Sequence, residues 1–214
     1  MRNDLSLLVL GTTTFATEVA DVACAAGYEV AGFVEALRPT RAAKEHAGRR
    51  VFGIDDIAAL AESHLAVCGV RERRREVVEA VSACGLGFAT VLHPTAFVLP
   101  TTTIGEGSLL GAGVAISGHT EIGRHVLIDR GGLVGHHTVV SDYVAVHAGA
   151  NVAGSCAIGE EATIAMGAVV VDHVRIGARS VVAAGAVVVK DVPDGVAVAG
   201  VPARVVEGPT PAAG

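Results

Sequence analysis

Residues 132–146 read GLVGHHTVVSDYVAV, and within this stretch Val134, Val140 and Val146 recur at intervals of six. An α-helix repeats every 3.6 residues and a β-strand every two, so a strict period of six indicates a short strand followed by a tight corner. The interval continues in both directions and joins sixteen aliphatic residues: Val98, Ile104, Leu110, Ile116, Ile122, Ile128, Val134, Val140, Val146, Val152, Ile158, Ile164, Val170, Ile176, Val182 and Val188.

A second series of small or β-branched residues follows the aliphatic residues, four positions later, as at Thr120, Thr138 and Cys156. Three hexapeptides make a triangular coil of 18 residues. Residues 98–193 therefore predict a little over five coils, stacked about 4.8 Å apart by ladder hydrogen bonds. Small residues suit the interior because such a prism is narrow.

Composition supports this architecture and limits the possible functions. The chain has 214 residues, of which 51% are hydrophobic and only 3% aromatic, with 27 glycines and no tryptophan, so its core is made of small aliphatic side chains. A net charge of -6 predicts no nucleic-acid partner. The absence of a leader or a long apolar run predicts a cytoplasmic protein with no membrane partner. Four widely spaced cysteines are expected to be buried and reduced: Cys24, Cys68, Cys84 and Cys156.

The amino-terminal part has a different pattern. Residues 5–36, LSLLVLGTTTFATEVADVACAAGYEVAGFVEA, read as strand, loop, helix and strand, and residues 51–61 and 64–85 continue an α/β unit. We therefore divide the chain into an α/β domain at 1–92, a coil domain at 93–206 and a disordered tail at 207–214.

The hexapeptide repeat, the lead-in HPTAFVLPTTTIGEGSLL at 93–110 and the exit GAVVVKDVPDGVAVAGVPARVV at 185–206 resemble the left-handed parallel β-helix acyltransferases. With the first domain included, the chain resembles the sialic acid O-acetyltransferases and the bacillosamine-pathway sugar N-acetyltransferases. The resemblance implies a Rossmann-like first domain and a homotrimer. It also implies transfer of an acetyl group from acetyl-CoA to an amine or hydroxyl of a sugar, such as a nucleotide-linked amino sugar.

The resemblance assigns catalysis to the corner after Val134. His136 stands where the family has its general base, and a neutral imidazole suits that task. His137 departs from the family, which has Glu or Asp at this position to orient the base. The 18-residue period puts His119 one coil below His137 and His173 two coils above it, and this column could be a proton relay, a surface row or neither. Gly154, one coil above His136, matches the family's oxyanion-stabilising amide.

The resemblance also indicates where the two substrates bind. The pantetheine arm of CoA would run along Met166, Gly167, Ala184 and Gly185, and the candidates for its phosphates are Lys190, Arg179 and Arg204. The acceptor would bind at Gly11, Thr12, Thr13, Thr14 and Glu35. This loop has one glycine where the family has several, and Phe15 adds bulk, so an amine or alcohol of a non-sugar metabolite stays open as the acceptor.

Two other classes of protein share the coil. The carbonic anhydrases on this fold hold zinc with three histidines, two of them five residues apart, and no two histidines of this chain have that spacing, so no metal is expected. A non-catalytic binding or scaffold protein remains an alternative, because a fold alone guarantees no activity. Asp129 and His147, 18 residues apart, are expected to pair across neighbouring coils.

Overall fold

The computed structural model describes residues 6–37 and 44–206 and divides the chain into two compact units, Met1–Pro94 and Thr95–Gly214. The tail predicted at 207–214 lies outside the described residues. Within them, no helix is long and apolar enough to cross a membrane.

The first unit is an α/β structure around a parallel sheet. Its elements are β1 (Ser6–Leu10), α1 (Thr14–Ala25), β2 (Val30–Glu35), β3 (Glu45–His46), β4 (Arg49–Gly53), a 3₁₀ helix (Ile54–Ala59), β5 (His64–Cys68), α2 (Arg74–Ser82), β6 (Gly87–Phe88) and β7 (Val91–Leu92). The sheet has the order β3-β4-β2-β1-β5-β6, and every neighbouring pair is parallel except β3 with β4.

Hydrophobic patterning explains this sheet and its helices. Strand β1 is apolar after Ser6, and Leu7–Leu10 are fully buried, as expected of a central parallel strand covered on both faces. Helix α1 begins after Thr13, whose hydroxyl accepts a hydrogen bond from the Ala16 amide. The helix then buries one stripe of small residues against the sheet: Ala16, Val19, Ala20 and Ala23.

The second unit is the predicted solenoid, built from two-residue strands separated by corners. In chain order the strands are β8 (Phe97–Val98), β9 (Thr103–Ile104), β10 (Leu109–Leu110), β11 (Ala115–Ile116), β12 (Glu121–Ile122), β13 (Leu127–Ile128), β14 (Leu133–Val134), β15 (Val139–Val140), β16 (Ala145–Val146), β17 (Asn151–Val152), β18 (Ala157–Ile158), β19 (Thr163–Ile164), β20 (Val169–Val170), β21 (Arg175–Ile176), β22 (Val181–Val182), β23 (Val187–Val188), β24 (Ala197–Ala199) and β25 (Arg204–Val205).

These strands form three parallel sheets. Face 1 contains β8, β11, β14, β17, β20 and β23, face 2 contains β9, β12, β15, β18 and β21, and face 3 contains β10, β13, β16, β19, β22 and β24. Paired residues are 18 apart, as in Ile116 with Val134 and Val134 with Val152, so the predicted coil length is confirmed. Strand β25 closes the chain antiparallel to β24.

Two threonines inside the prism donate hydrogen bonds to the coil above. Thr120 Oγ1 donates to the Gly135 carbonyl at 2.9 Å, and Thr138 Oγ1 donates to the Ala153 carbonyl at 3.0 Å. Both threonines are fully buried. Because an unpaired hydroxyl in this interior would cost free energy, these bonds hold the corners of successive coils in register.

Candidate active site

The corner between face 1 and face 2 carries the histidines, and we call it the histidine edge: residues 118–119, 136–137, 154–155 and 172–173. Gly135 directly precedes His136, and this position requires glycine because the next coil passes very close. A Cβ at Gly135 would lie 2.5 Å from the Ala153 carbonyl carbon. His137 has a φ of 55°, a left-handed conformation for which histidine is among the more tolerant residues. Both His136 and His137 are exposed.

Three imidazole rings contact one another on this edge. His136 Nδ1 lies 3.1 Å from His137 Nδ1, with the two rings nearly perpendicular at 84°. The His119 ring lies one coil below His137, with ring centroids 5.0 Å apart and an interplanar angle of 31°. The predicted column of His119 and His137 is therefore present, and it is joined to His136 by a nitrogen–nitrogen contact.

The His136 ring also lies against Gly154 in the coil above. A Cβ at Gly154 would come 2.8 Å from His136 Cε1 and 2.9 Å from Nε2, so only glycine leaves room for this ring. The Ser155 amide donates to the His136 carbonyl at 2.8 Å. Among the residues that the structure describes, no acceptor takes the Gly154 N–H. That amide is thus available to an oxygen arriving beside His136.

The thiol of Cys156 belongs to the prism interior. Its side chain is 2% exposed, and Sγ donates to the carbonyls of Val171 at 3.2 Å and Gly154 at 3.6 Å. Burial raises the pKa of this thiol, so the nucleophilic thiolate is disfavoured at neutral pH. The prediction of buried cysteines is confirmed for Cys156 and Cys68 but is wrong for Cys24, which is exposed, and for Cys84, which is half-buried. The surroundings of Cys156 disfavour a role as a nucleophile.

A second edge, between face 3 and face 1, has glycine at every coil, and we call it the glycine edge: Gly113, Gly131, Gly149, Gly167 and Gly185, with φ between 66° and 68°. The equivalent corners elsewhere accept His137 or Tyr143 at similar angles, so the backbone conformation alone does not require glycine. A Cβ at Gly167 or Gly185 would meet no atom of the chain within 4 Å. The five glycine positions therefore lack side chains although the chain leaves room for them.

The remaining predicted CoA residues lie on the surface of the solenoid. Met166 is 58% exposed, Ala184 and Lys190 are exposed, and so are Arg179 and Arg204. Met166 and Ala184 directly precede Gly167 and Gly185, so these four residues share one edge.

Asp129 and His147 occupy equivalent positions after the paired residues Ile128 and Val146, and both side chains are buried. Their predicted pairing stays a prediction.

The predicted acceptor residues meet at the carboxyl ends of β1 and β2. Gly11 follows β1 with a φ of 101°, and a Cβ there would lie 2.5 Å from Val70 Cγ1. Thr12 Oγ1 donates to Glu35 Oε2 at 3.1 Å, while Glu35 Oε1 accepts from the Leu37 amide. Thr13 caps α1 and Thr14 is its first residue. The sheet order changes direction between β1 and β5, which is where ligands bind in open α/β sheets.

One feature of this crevice was not predicted from the sequence. The Arg71 guanidinium lies over the Phe15 ring, 4.0 Å from its centroid, in a cation–π contact between the residues that follow β1 and β5. Phe15 was noted for its bulk, but nothing in the sequence links it to a residue 56 positions away. The pair places a fixed positive charge beside the Gly11–Thr14 loop.

Within residues 6–37 and 44–206, no group of three histidine, cysteine, aspartate or glutamate side chains could hold a metal ion.

Comparison with profiles of known protein families gives no match, and neither does comparison with curated protein sequences. Solved structures do match over nearly the whole chain. A histidine-to-asparagine variant of perosamine N-acetyltransferase from Caulobacter crescentus, in complex with CoA and GDP-perosamine, is 30% identical with a TM-score of 0.88, covering 95% of this chain and 97% of that one.

Two further solved structures extend the match to other bacteria. The acetyltransferase domain of PglB from Neisseria gonorrhoeae FA1090, in complex with acetyl coenzyme A, is 28% identical with a TM-score of 0.87, covering 95% of this chain and 100% of that one. WeeI from Acinetobacter baumannii AYE is 26% identical with a TM-score of 0.85, covering 94% and 100%.

Proposed function

The chain belongs to the hexapeptide-repeat acyltransferases that acetylate sugars, and we propose that it transfers the acetyl group of acetyl-CoA to an amine of a nucleotide-linked amino sugar. The observation that carries the proposal is the contact of the His136 ring with Gly154, which puts a base beside an available amide. The similarity to an N-acetyltransferase holding CoA and GDP-perosamine supports the choice of both substrates. In this proposal the first unit is Rossmann-like and the solenoid is left-handed.

The reaction is a direct attack in a ternary complex. The acceptor amine attacks the thioester carbonyl carbon, and His136 Nε2 takes the proton that the amine loses. The Gly154 N–H donates to the oxyanion of the tetrahedral intermediate. Collapse of the intermediate breaks the carbon–sulfur bond, and His136 returns its proton to the sulfur. The products are an N-acetylated sugar and free CoA.

The glycine edge suits the pantetheine arm of CoA. A Cβ at Gly167 or Gly185 would meet no atom of the chain within 4 Å, so the space beside these two glycines is open to a ligand. Met166 and Ala184 add apolar surface next to this space. Lys190, with Arg179 and Arg204, supplies positive charge for the phosphates.

Face 1 supports a homotrimer. Its outward positions are largely apolar, and the large side chains Phe97, Leu133 and Val169 are 63%, 39% and 36% exposed. Face 1 is bounded by the glycine edge on one side and the histidine edge on the other. In a cyclic trimer that packs through face 1, the histidine edge of one subunit would lie near the glycine edge of the next, which would bring base and thioester together.

The crevice at β1 and β5 suits the nucleotide of the acceptor. The amino terminus of α1 and the Thr13 hydroxyl offer donors to a phosphate, and Glu35, which already accepts from Thr12, offers a further acceptor to a hydroxyl. The sheet order corresponds to the order of a mononucleotide-binding half, which supports the Rossmann-like assignment. Arg71, held against Phe15, supplies charge that a glycine-rich loop would otherwise supply through its amides.

The test is thiol release from acetyl-CoA in the presence of nucleotide-linked amino sugars, free amino sugars and simple amines. We expect release with a nucleotide-linked amino sugar, and a loss of about 10²–10⁴-fold in kcat when His136→Ala removes the base. Binding of CoA by this variant, measured by calorimetry, should stay near that of the wild type. Release only with simple amines, or comparable kcat in His136→Ala, would contradict the proposal.

A further inference from the structure

The contact between His136 and His137 carries a second conclusion, which rests on the proposed function. We propose that His137 is a positioning residue: its Nδ1 accepts a hydrogen bond from His136 Nδ1–H and so keeps His136 Nε2 free to act as the base. The two Nδ1 atoms are 3.1 Å apart. A bond between two ring nitrogens requires that one carries a proton and the other a lone pair.

The direction of this bond follows from which nitrogen of His136 is left free. The ring lies against Gly154 with both nitrogens close to it, since a Cβ built at Gly154 would be 2.9 Å from Nε2 and 3.1 Å from Nδ1. Nδ1 is the atom in contact with His137, so Nε2 is the nitrogen that remains for the reaction, and it must be unprotonated to take a proton from the acceptor. In a neutral imidazole that leaves the proton on Nδ1, with His137 Nδ1 as its acceptor.

The ring of His137 is held in place to perform this role. Its amide donates to the Gly118 carbonyl at 3.2 Å, and its ring packs on the His119 ring from the coil below. His119 is itself fixed, because its amide donates to Thr101 Oγ1 at 3.0 Å. A positioned acceptor of this kind restrains both the tautomer and the ring rotation of a catalytic histidine.

An imidazole differs from the carboxylate that the resemblance leads one to expect. A carboxylate accepts at any pH above its own titration, whereas His137 accepts only while it is neutral. A protonated His137 would donate to His136 and push the remaining proton of His136 onto Nε2. The ionisable groups that face the pair from the edge are His119 below and, beyond Gly154 and Ser155, Asp172 with His173.

Three variants at His137 separate positioning from structural support. His137→Leu removes the acceptor, and we expect kcat to fall about 10–100-fold while the KM for acetyl-CoA changes less than about twofold. His137→Asn restores an acceptor and suits the left-handed corner, so it should recover at least about fivefold of that loss. His137→Glu should retain kcat within about threefold at high pH.

The matched control is His173→Leu, which makes the same change on the same edge at a φ of 63°. Leucine at this position pays the same free-energy cost for the left-handed backbone conformation, but residue 173 does not contact the His136 ring. The kcat of His173→Leu should therefore stay within about threefold of the wild type. Equal kcat values for His137→Leu and His173→Leu would overturn the proposal. So would failure of His137→Asn to recover activity while its thermal unfolding matches that of the wild type.

A measurement independent of turnover separates this proposal from the proposed function. Ring ¹⁵N chemical shifts of the full-length protein report which nitrogen of neutral His136 carries the proton. We expect the Nδ1–H tautomer in the wild type and a shift toward Nε2–H in His137→Leu. The Nε2–H form in the wild type would overturn the proposal, whereas absence of acetyl transfer with the expected Nδ1–H form would count against the proposed function alone.

Discussion

At the scale of single residues, Gly154 is the position where we expect one added carbon to lower activity. In Gly154→Ala, the Cβ would lie within 3.1 Å of three atoms of the His136 ring, so the ring must move. Displacing a catalytic base by about 1 Å costs about 100-fold in rate, and we expect that loss in kcat. Steady-state kinetics of the variant beside its thermal unfolding curve checks this.

The amide of residue 154 is preserved in that variant, and its coil neighbours are unchanged. Binding of CoA should therefore stay within about threefold, and the unfolding temperature should change by only a few degrees. A Gly154→Ala enzyme with wild-type kcat would show that the contact between His136 and Gly154 has no part in the reaction.

Some contacts of single residues could be predicted from the sequence, and others could not. The period of 18 predicted that His119 stacks below His137 and that Gly154 lies above His136, because a solenoid repeats its backbone geometry at every coil. It could not predict the Nδ1–Nδ1 contact, since side-chain torsions are not periodic. The contact of Phe15 with Arg71 could not be predicted either, because it depends on how two segments of the first unit approach each other.

At the scale of elements, the third edge of the solenoid, between face 2 and face 3, is held by a charged pair on adjacent coils. Asp142 Oδ1 accepts from the Arg124 amide at 2.8 Å, and Oδ2 accepts from Arg124 Nε at 3.0 Å. Partial burial raises the pKa of Asp142, but the hydrogen bonds and charge of Arg124 outweigh this effect and the net pKa lies below its usual range. The corner therefore depends on an ionised carboxylate.

Replacing this carboxylate tests the corner. We expect Asp142→Ala to lower the free energy of unfolding by about 1 kcal/mol at pH 7, and Asp142→Asn to lower it less because its side-chain oxygen still accepts from the Arg124 amide. The folded state binds the proton less tightly than the unfolded state. The difference between wild type and Asp142→Ala is thus present above about pH 4 and shrinks as pH falls through the lowered pKa. Urea denaturation at pH 7 and pH 3 measures it, and a difference that grows on acidification would contradict this account.

The glycine edge is visible in the sequence, although a search for periodic aliphatic residues does not detect it. Gly113, Gly131, Gly149, Gly167 and Gly185 are spaced by 18 in the sequence, so their alignment could have been predicted. What the structure adds is that the other two edges tolerate side chains at the same backbone angles. Because the backbone conformation alone does not require glycine, these glycines are evidence that the surface of this edge is kept open.

At the scale of the whole molecule, the two edges that bear the proposed chemistry bound the same face. The histidine edge and the glycine edge are separated by face 1 within one chain, so in the proposed arrangement a thioester on the glycine edge would reach His136 of a second subunit. The apolar outward side chains of face 1 supply a surface for that subunit. Activity and assembly are thus expected to be lost together.

Leu133 and Val139 allow this coupling to be tested with one pair of substitutions. They occupy the same outward position of successive strands, β14 on face 1 and β15 on face 2, with exposures of 39% and 44%, and each lies within three residues of His136. Burying a charge in an interface of apolar side chains is costly, so Leu133→Glu should yield a monomer with at least about 100-fold lower kcat/KM. Val139→Glu should keep the proposed trimer and an activity within about threefold of the wild type, because face 2 would stay exposed. Sedimentation velocity and thiol release distinguish the outcomes: a fully active Leu133→Glu monomer would mean that one chain holds both base and thioester, and the site would then lie within a single prism.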